Sequence, residues 1–342
     1  MRLLHTPLFV FLWASGLTTP VAGTVTPTTL FTLPGPVKPS SWFENLAVRP
    51  NGKILATRGD APEIWQINPA TGAGALLVSL APSTGAFNLT GIAQVHMADD
   101  DDDDDVETYV FGSSYIPAPL QVEPGSAKVW KLEIGPSGAA TVSLLAALPS
   151  AGFINGIAEW RRPGGRVLLS DTERAAVYLM DASTGAFTTP LTNLTGINGI
   201  QTVRPKAGSP GYLYRVDFFS LTLSRIPIDT ATATALGVAQ VVADNQLIDD
   251  FALAVDKHTG AGAAYLGTMY DNSVVRVVFG PPPSAGPGVK TLVAGNLTGT
   301  GVGLCTVVVF GRRPQDRDVL YAAVGQGGSE SAKIVALDLS QL

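Results

Sequence analysis

Short runs in which apolar and polar residues alternate recur along nearly the whole chain, and clusters containing Gly or Pro end them. A period of two with turn residues between the runs predicts β-strands rather than helices. Six segments open on a small or polar residue and continue into an apolar strand. They are ENLAV from Glu44, GIAQV from Gly91, NGIAEW from Asn155, NGIQTV from Asn198, DDFALAV from Asp249 and VGLCTVVV from Val302. Each is followed by a second strand and a third, from KILATRG at Lys53 and IWQINPATG at Ile64 to VLYAAVG at Val319 and IVALDL at Ile334. A fourth strand follows in five copies (ALLVSL, ATVSLLAAL, AFTTPLTNL, VAQVVAD and VKTLVAG), and the sixth copy ends at Leu342 without one.

One strand, TTLFTL from Thr28, stands alone ahead of the first copy. Placed beside Ile334–Leu339, Thr28–Leu33 would complete the sixth unit, close a ring and remove a free sheet edge. Four strands per unit and a period of about 40–50 residues are the mark of a propeller. The expected fold is therefore all-β, a six-bladed β-propeller over residues 24–342 with its N-terminal strand closing the last blade.

Residues 1–23 read differently. Arg2 precedes an apolar stretch from Leu3 to Trp13, and Val21-Ala22-Gly23 offers small residues for cleavage. This is the pattern of a secretory signal peptide, too short in its apolar part to span a bilayer. No later segment reaches the length of a membrane span, so a soluble chain in the secretory pathway is expected; a monomer is expected as well. Three Asn-Leu-Thr sequons, at Asn88, Asn193 and Asn296, fit that route as glycosylation sites.

Charge narrows the partners. The chain has 22 Lys+Arg and 28 Asp+Glu, a net charge of −6. Seven acids form one run, Asp99 to Asp105, read as a solvated loop. Outside it the signs nearly balance, which leaves no basic face for nucleic acid. The one cysteine, Cys305, excludes an internal disulfide framework and reads as a buried small hydrophobe.

In a propeller the inner strands start at one rim of the central channel. The strand starts carry Glu44, Asn155, Asn198 and Asp250, whose hard oxygen ligands suit calcium; the competing reading is that such residues cap the turns. Here the chain resembles the regucalcin/gluconolactonase-like propellers, through WFENLAV, INGIAEW, INGIQTV and DDFALAVD. That resemblance implies a divalent-cation site at Glu44, Asn155, Asn198 and Asp250, with Asp250 doubling as a base in the lactonases. The paraoxonase branch of those propellers uses paired histidines. His96 and His258 do not suit that role, one lying at the far end of its strand and the other in a VDKHTG turn. Arg58, Arg174 and Arg215 are candidates for an arginine that holds a polar substrate.

Around the same rim fall Trp42, Phe43, Phe218, Phe219, Met269 and Tyr270, read as an apolar substrate pocket. Residues 113–128, which include Tyr115, are read as a pocket wall or lid. Three functions stay open: a calcium-dependent lactonase or esterase, a cyclase of apolar small molecules, and a non-catalytic binding propeller. The phrases FENLAVRPNG and NLTGI make the chain similar to secreted fungal hetero-Diels–Alderases of tropolone–sesquiterpenoid biosynthesis. That likeness implies cycloaddition of a tropolone-type o-quinone methide with a terpene alkene such as humulene. It calls for Tyr115, Tyr270 or a cation to polarise the quinone-methide oxygen, and for no organic cofactor.

Overall fold

The computed structural model describes residues 23–35, 41–97, 106–115, 122–160, 164–204, 210–284, 286–296, 301–325 and 331–342. The leader expected over 1–23, apart from Gly23, and the run Asp99–Asp105 lie outside them. Every regular element among the described residues is a strand or a single 3₁₀ turn. Strand β1 spans Thr28–Thr32. Blade 1 holds β2 (Phe43–Val48), β3 (Ile54–Arg58), β4 (Glu63–Asn68) and β5 (Ala73–Ser79). Blade 2 holds β6 (Asn88–Val95), β7 (Glu107–Ser114), β8 (Lys128–Ile134) and β9 (Ala140–Ala147). Blade 3 holds β10 (Ile154–Trp160), β11 (Arg166–Asp171), β12 (Ala176–Asp181) and β13 (Phe187–Leu191). Blade 4 holds β14 (Ile197–Val203), β15 (Gly211–Asp217), β16 (Thr222–Ile228) and β17 (Gln240–Ala243). Blade 5 holds β18 (Ile248–Val255), β19 (Gly262–Thr268), β20 (Ser273–Phe279) and β21 (Val289–Gly295). Blade 6 holds β22 (Cys305–Phe310), β23 (Val319–Val324) and β24 (Lys333–Asp338).

These make six four-stranded sheets, the sixth completed by β1 in the order β1-β24-β23-β22. The fold is a six-bladed β-propeller. β1 runs antiparallel to β24 with Thr28 opposite Ala336 and Phe31 opposite Ile334. Phe31 fixes that closure. It is 8% exposed and packs against Phe43 and Trp65 of blade 1, with ring centroids 6.2 and 5.8 Å away.

The apolar face of each sheet is buried against the next blade. Six apolar clusters result, each shared by two neighbouring blades. Alternation in the sequence therefore continues around the ring, because each blade supplies half of two interfaces. The inner strands are crowded at the axis. A Cβ on Gly91 of β6 would lie 2.3 Å from the carbonyl oxygen of Asn155 on β10, so only glycine permits that approach.

Candidate functional site

Each inner strand carries one extra residue near its start, after the first residue in five strands and after the second in β6. The pairing slips between Phe43 and Asn45, Leu89 and Ile92, Ile154 and Ile157, Ile197 and Ile200, Ile248 and Phe251, and Cys305 and Val307. A β-bulge bends the strand and re-aims its side chains. Aligning the six bulges puts Glu44, Thr90, Asn155, Asn198, Asp249 and Thr306 at one level around the axis. Asn45, Gly91, Gly156, Gly199, Asp250 and Val307 form the next. Buried hydroxyls satisfy carbonyls that the bulges free: Thr57 Oγ1 donates to Thr90 at 2.7 Å, Ser170 Oγ to Asn198 at 2.7 Å and Thr306 Oγ1 to Phe43 at 2.7 Å.

This register changes one residue of the expected oxygen cluster. Asp249, not Asp250, is the blade-5 equivalent of Glu44, Asn155 and Asn198. Asn198 Nδ2 donates to Asp249 Oδ1 at 2.8 Å, and Trp42 Nε1 donates to Glu44 Oε2 at 2.5 Å. Asp250 turns toward the next level instead. Its Oδ2 accepts from Asn45 Nδ2 at 2.9 Å and its Oδ1 from the Phe251 N–H at 2.7 Å. A Cβ on Gly199 would meet that carboxylate at 2.4 Å, so the neighbouring glycine makes room for an aspartate in blade 5. The Asn155 side chain is half-buried and has no hydrogen bond among the described residues.

The carboxylates are close enough to disturb one another. Burial raises Asp249 well above the ordinary carboxylate range, and the charges of Glu44 and Asp250 raise it further. Burial also raises Glu44, against the lowering effect of the Trp42 hydrogen bond. Burial pushes Asp250 up to about 7, although the Phe251 N–H and Asn45 oppose it. No group of three His, Cys, Asp or Glu side chains able to hold a metal occurs among the described residues. A cation site here would need the amides as well. The donor set fits one: Asn198 Oδ1 is buried without a hydrogen-bond partner, and Glu44 and Asp249 hold oxygens whose charge a hard cation would offset.

The aromatic residues divide. Phe219 and Tyr270 are 72% and 62% exposed in the turns after β15 and β19, and Phe218 and Met269 beside them are half-buried. Phe218 and Phe219 meet edge to face at 6.2 Å. Tyr115 is exposed and meets Phe87, which the sequence reading passed over, edge to face at 6.1 Å. Residues 116–121 of the expected wall lie outside the described residues. Phe43 is not a pocket residue: it is wholly buried against Phe31, because it alternates with Trp42 and Glu44 and so points into the blade interface.

Other candidates are occupied elsewhere. His96 Nδ1 lies 2.9 Å from Glu159 Oε1, beyond the far end of β6, and His258 is exposed in its turn. Arg58 is held by Asp60 and Glu63 at 2.5 and 2.6 Å, Arg215 lies 3.4 Å from Asp217, and Arg174 Nε donates to Ser150 O at 3.0 Å. Cys305 is fully buried, its thiol pushed up by burial first and then by Asp249, which suits no nucleophile. A cleft of about 480 Å³, lined by Leu253, Tyr265, Phe310 and Leu339 among others, sits at the far ends of the blade-5 and blade-6 inner strands and includes none of these mouth residues.

The sequons also separate. Asn193 and Asn296 are exposed, but Asn88 is 2% exposed and accepts a hydrogen bond from the Ser114 N–H at 2.9 Å. The folded strand pair is closed to a glycan at Asn88. The likeness of the phrases hides a shift: Asn88 aligns with Gly196, three residues after Asn193.

No family model matches the chain. It is 25% identical to a proposed hetero-Diels-Alderase from Phoma sp, over an alignment that covers 82% of each chain. Its fold resembles regucalcin, a calcium-binding protein of Agrobacterium tumefaciens, with a TM-score of 0.57 and 15% identity over 92% of this chain and 94% of that one. It also resembles the major allergen Mala s 1 of Malassezia sympodialis, with a TM-score of 0.59 and 12% identity over 87% and 93%. No helix among the described residues is long and apolar enough to cross a membrane.

Proposed function

We propose that this propeller is an enzyme that holds an o-quinone methide and an apolar alkene at its mouth and promotes their hetero-Diels–Alder cycloaddition. The observation that carries the reading is the composition of the mouth. Exposed Phe219 and Tyr270, with Phe218 and Met269 beside them, stand on the rim that surrounds a buried cluster of amides and carboxylates. Neither described histidine belongs to that rim. The likeness to the Phoma protein supports the same chemistry.

The reaction suits such a mouth. The heterodiene oxygen and its exocyclic carbon form one C–O and one C–C bond with the alkene, and no proton or leaving group departs. What a protein can supply is a reactive pose, for which oriented approach contributes roughly 7–11 kcal/mol in favourable cases. Apolar and aromatic rim residues bind the alkene and shield it from water. The uncommitted Asn155 amide can donate to the quinone-methide oxygen as negative charge develops there. Glu44, Asn155, Asn198 and Asp249 would hold a calcium ion. When bound, such an ion polarises a carbonyl-type oxygen as a Lewis acid. Tropolone-derived o-quinone methides and a macrocyclic alkene such as humulene are the proposed substrates.

A second reading, metal-assisted lactone hydrolysis, is favoured by the closeness of Glu44 and Asp249 and the calcium-binding structural relative. Incubating the purified chain with an o-quinone methide precursor and humulene, and separately with simple lactones, distinguishes the two. The cycloaddition reading expects accelerated, stereoselective adduct formation and no lactone turnover; racemic adduct at the uncatalysed rate overturns it. The same reading takes the chain through the secretory pathway as a monomer, with glycans on Asn193 and Asn296.

A further inference from the structure

Trp42 and Glu44 sit two residues apart where the chain enters β2, so their side chains leave the same face while Phe43 between them is buried. The indole hydrogen bond to Oε2 is the one hydrogen bond of the Glu44 carboxylate among the described residues, and Oε1 keeps its lone pairs. Glu44 has no ion pair among the described residues either. Glu63 makes an instructive contrast in the same blade. Trp65 Nε1 donates to Glu63 in the same two-residue arrangement, at 2.9 Å, but there Arg58 adds a guanidinium at 2.6 Å and cancels the charge. An indole orients a carboxylate without neutralising it.

The indole is itself held in place. The ring packs against Gly59, where a Cβ would come within 2.3 Å of Cε2 and Nε1. The Trp42 N–H points to Asp60 Oδ1 at 3.4 Å, and its carbonyl accepts from the Gly59 N–H at 3.2 Å. Asp60 is fixed in turn by Arg58 at 3.0 and 2.5 Å and by Ser41 Oγ at 2.9 Å. A network of this kind sets one orientation for one carboxylate and pairs it with no cation among the described residues.

We infer that Trp42 is a positioning residue that fixes the Glu44 carboxylate for a divalent cation at the channel mouth, with Gly59 as the floor on which its ring rests. The inference rests on the cation reading given above. Outer partners of ligand groups commonly account for about 10–100-fold in metal affinity.

The test uses the full chain as wild type, Trp42→Phe and Gly59→Ala, titrated with calcium chloride by calorimetry and by tryptophan emission. Wild type should bind calcium and change its emission. Trp42→Phe keeps a ring on Gly59 but loses the donor. It should bind at least about tenfold more weakly and lose most of the emission change, with its cation-free melting temperature near that of wild type. Gly59→Ala leaves every polar group in place and lifts the ring; it should weaken calcium binding in the same direction. If Trp42→Phe misfolds, Gly59→Ala still decides. Wild-type binding with unaltered affinity in the folded variants overturns the role of Trp42 alone. A wild-type chain that takes up no calcium overturns the cation reading, and the inference with it.

Discussion

Asn45 Nδ2 donates to Asp250 Oδ2 at 2.9 Å, joining the inner strands of blades 1 and 5 across 205 residues of sequence. Both groups are buried, at 8% and 6% exposure, so each would face an empty partner if the other were removed. Asn45→Ala should therefore destabilise the chain by about 1–3 kcal/mol, the cost of a buried polar group left unpaired. Asp250→Ala should cost a comparable amount, and the double variant less than the two together. Urea denaturation of the three variants measures this; strict additivity would show that the pair is not coupled.

The same geometry ranks the two adjacent aspartates. Asp249 shares a level with Glu44 and Asn198, whereas Asp250 is committed to Asn45 and its own strand. Asp249→Asn should weaken calcium binding more than Asp250→Asn does, by about tenfold or more if one ligand charge is lost. Calorimetric titration of both variants reads the difference. Equal losses would place both carboxylates at the cation.

That one-residue distinction marks how far the chain is legible from its sequence alone. The blades were legible because alternation and turn residues repeat six times, and the closing of blade 6 by Thr28–Leu33 followed from a strand left over at one end and missing at the other. Glu44, Asn155 and Asn198 were legible as a set because each follows an apolar residue at a strand start. The same rule marks Asp249, which follows Ile248, over Asp250; what the letters do not show is the bulge, set by pairing with β19, that turns the two carboxylates to different levels. Alternation from Glu44 would have marked Phe43 as an interface residue, not a pocket wall. The buried Asn88 was hidden by a phrase that repeats in letters but not in register.

Edge closure gives the largest expected effect on stability. Phe31 is 8% exposed and fills the seam between blades 6 and 1. Phe31→Ala should cost about 3–5 kcal/mol, as for other buried aromatic truncations. Deleting residues 24–34 should cost more, since it also leaves β24 as an open edge prone to pairing with other chains. Denaturation midpoints and light scattering check the two; a deletion variant as stable and monodisperse as wild type would contradict the closure.

The opposite rim supplies a pH dependence. Burial alone would raise the Glu107 carboxyl, but hydrogen bonds from Arg49, at 2.9 and 2.7 Å, and from Tyr109, at 2.7 Å, outweigh it and hold it below the ordinary value. A depressed carboxylate binds fewer protons folded than unfolded. Its contribution is full above the unfolded value of about 4.3 and is lost as pH falls through the lower folded one. Glu107→Gln should therefore be less stable than wild type at pH 7 and should decline less between about pH 5 and pH 3. Urea midpoints across that range test it, and parallel declines would show that Glu107 is not the group responsible.

The rim aromatics separate shape from proton chemistry. Phe219 and Tyr270 are 72% and 62% exposed, so truncating either removes little buried surface. Phe219→Ala and Tyr270→Ala should change stability by no more than about 0.5 kcal/mol, the usual range for surface positions. If the rim holds the alkene in its reactive pose, the same variants should lose about 1–3 kcal/mol of barrier lowering, or roughly 5–150-fold in rate, or give mixed adduct stereochemistry. Tyr270→Phe then divides the contribution of the ring from that of the hydroxyl. Near-wild-type rate in Tyr270→Phe makes the residue a wall, whereas a loss matching that of Tyr270→Ala makes the hydroxyl the polarising donor. A lactonase orders the variants differently, because Asp249→Ala should abolish turnover while the aromatic truncations mainly raise KM. Initial rates on both substrate classes, with melting curves as the stability control, decide between these orderings. Unchanged rate and stereochemistry in both alanine variants would remove the rim from the reaction and leave the cycloaddition reading without its binding surface.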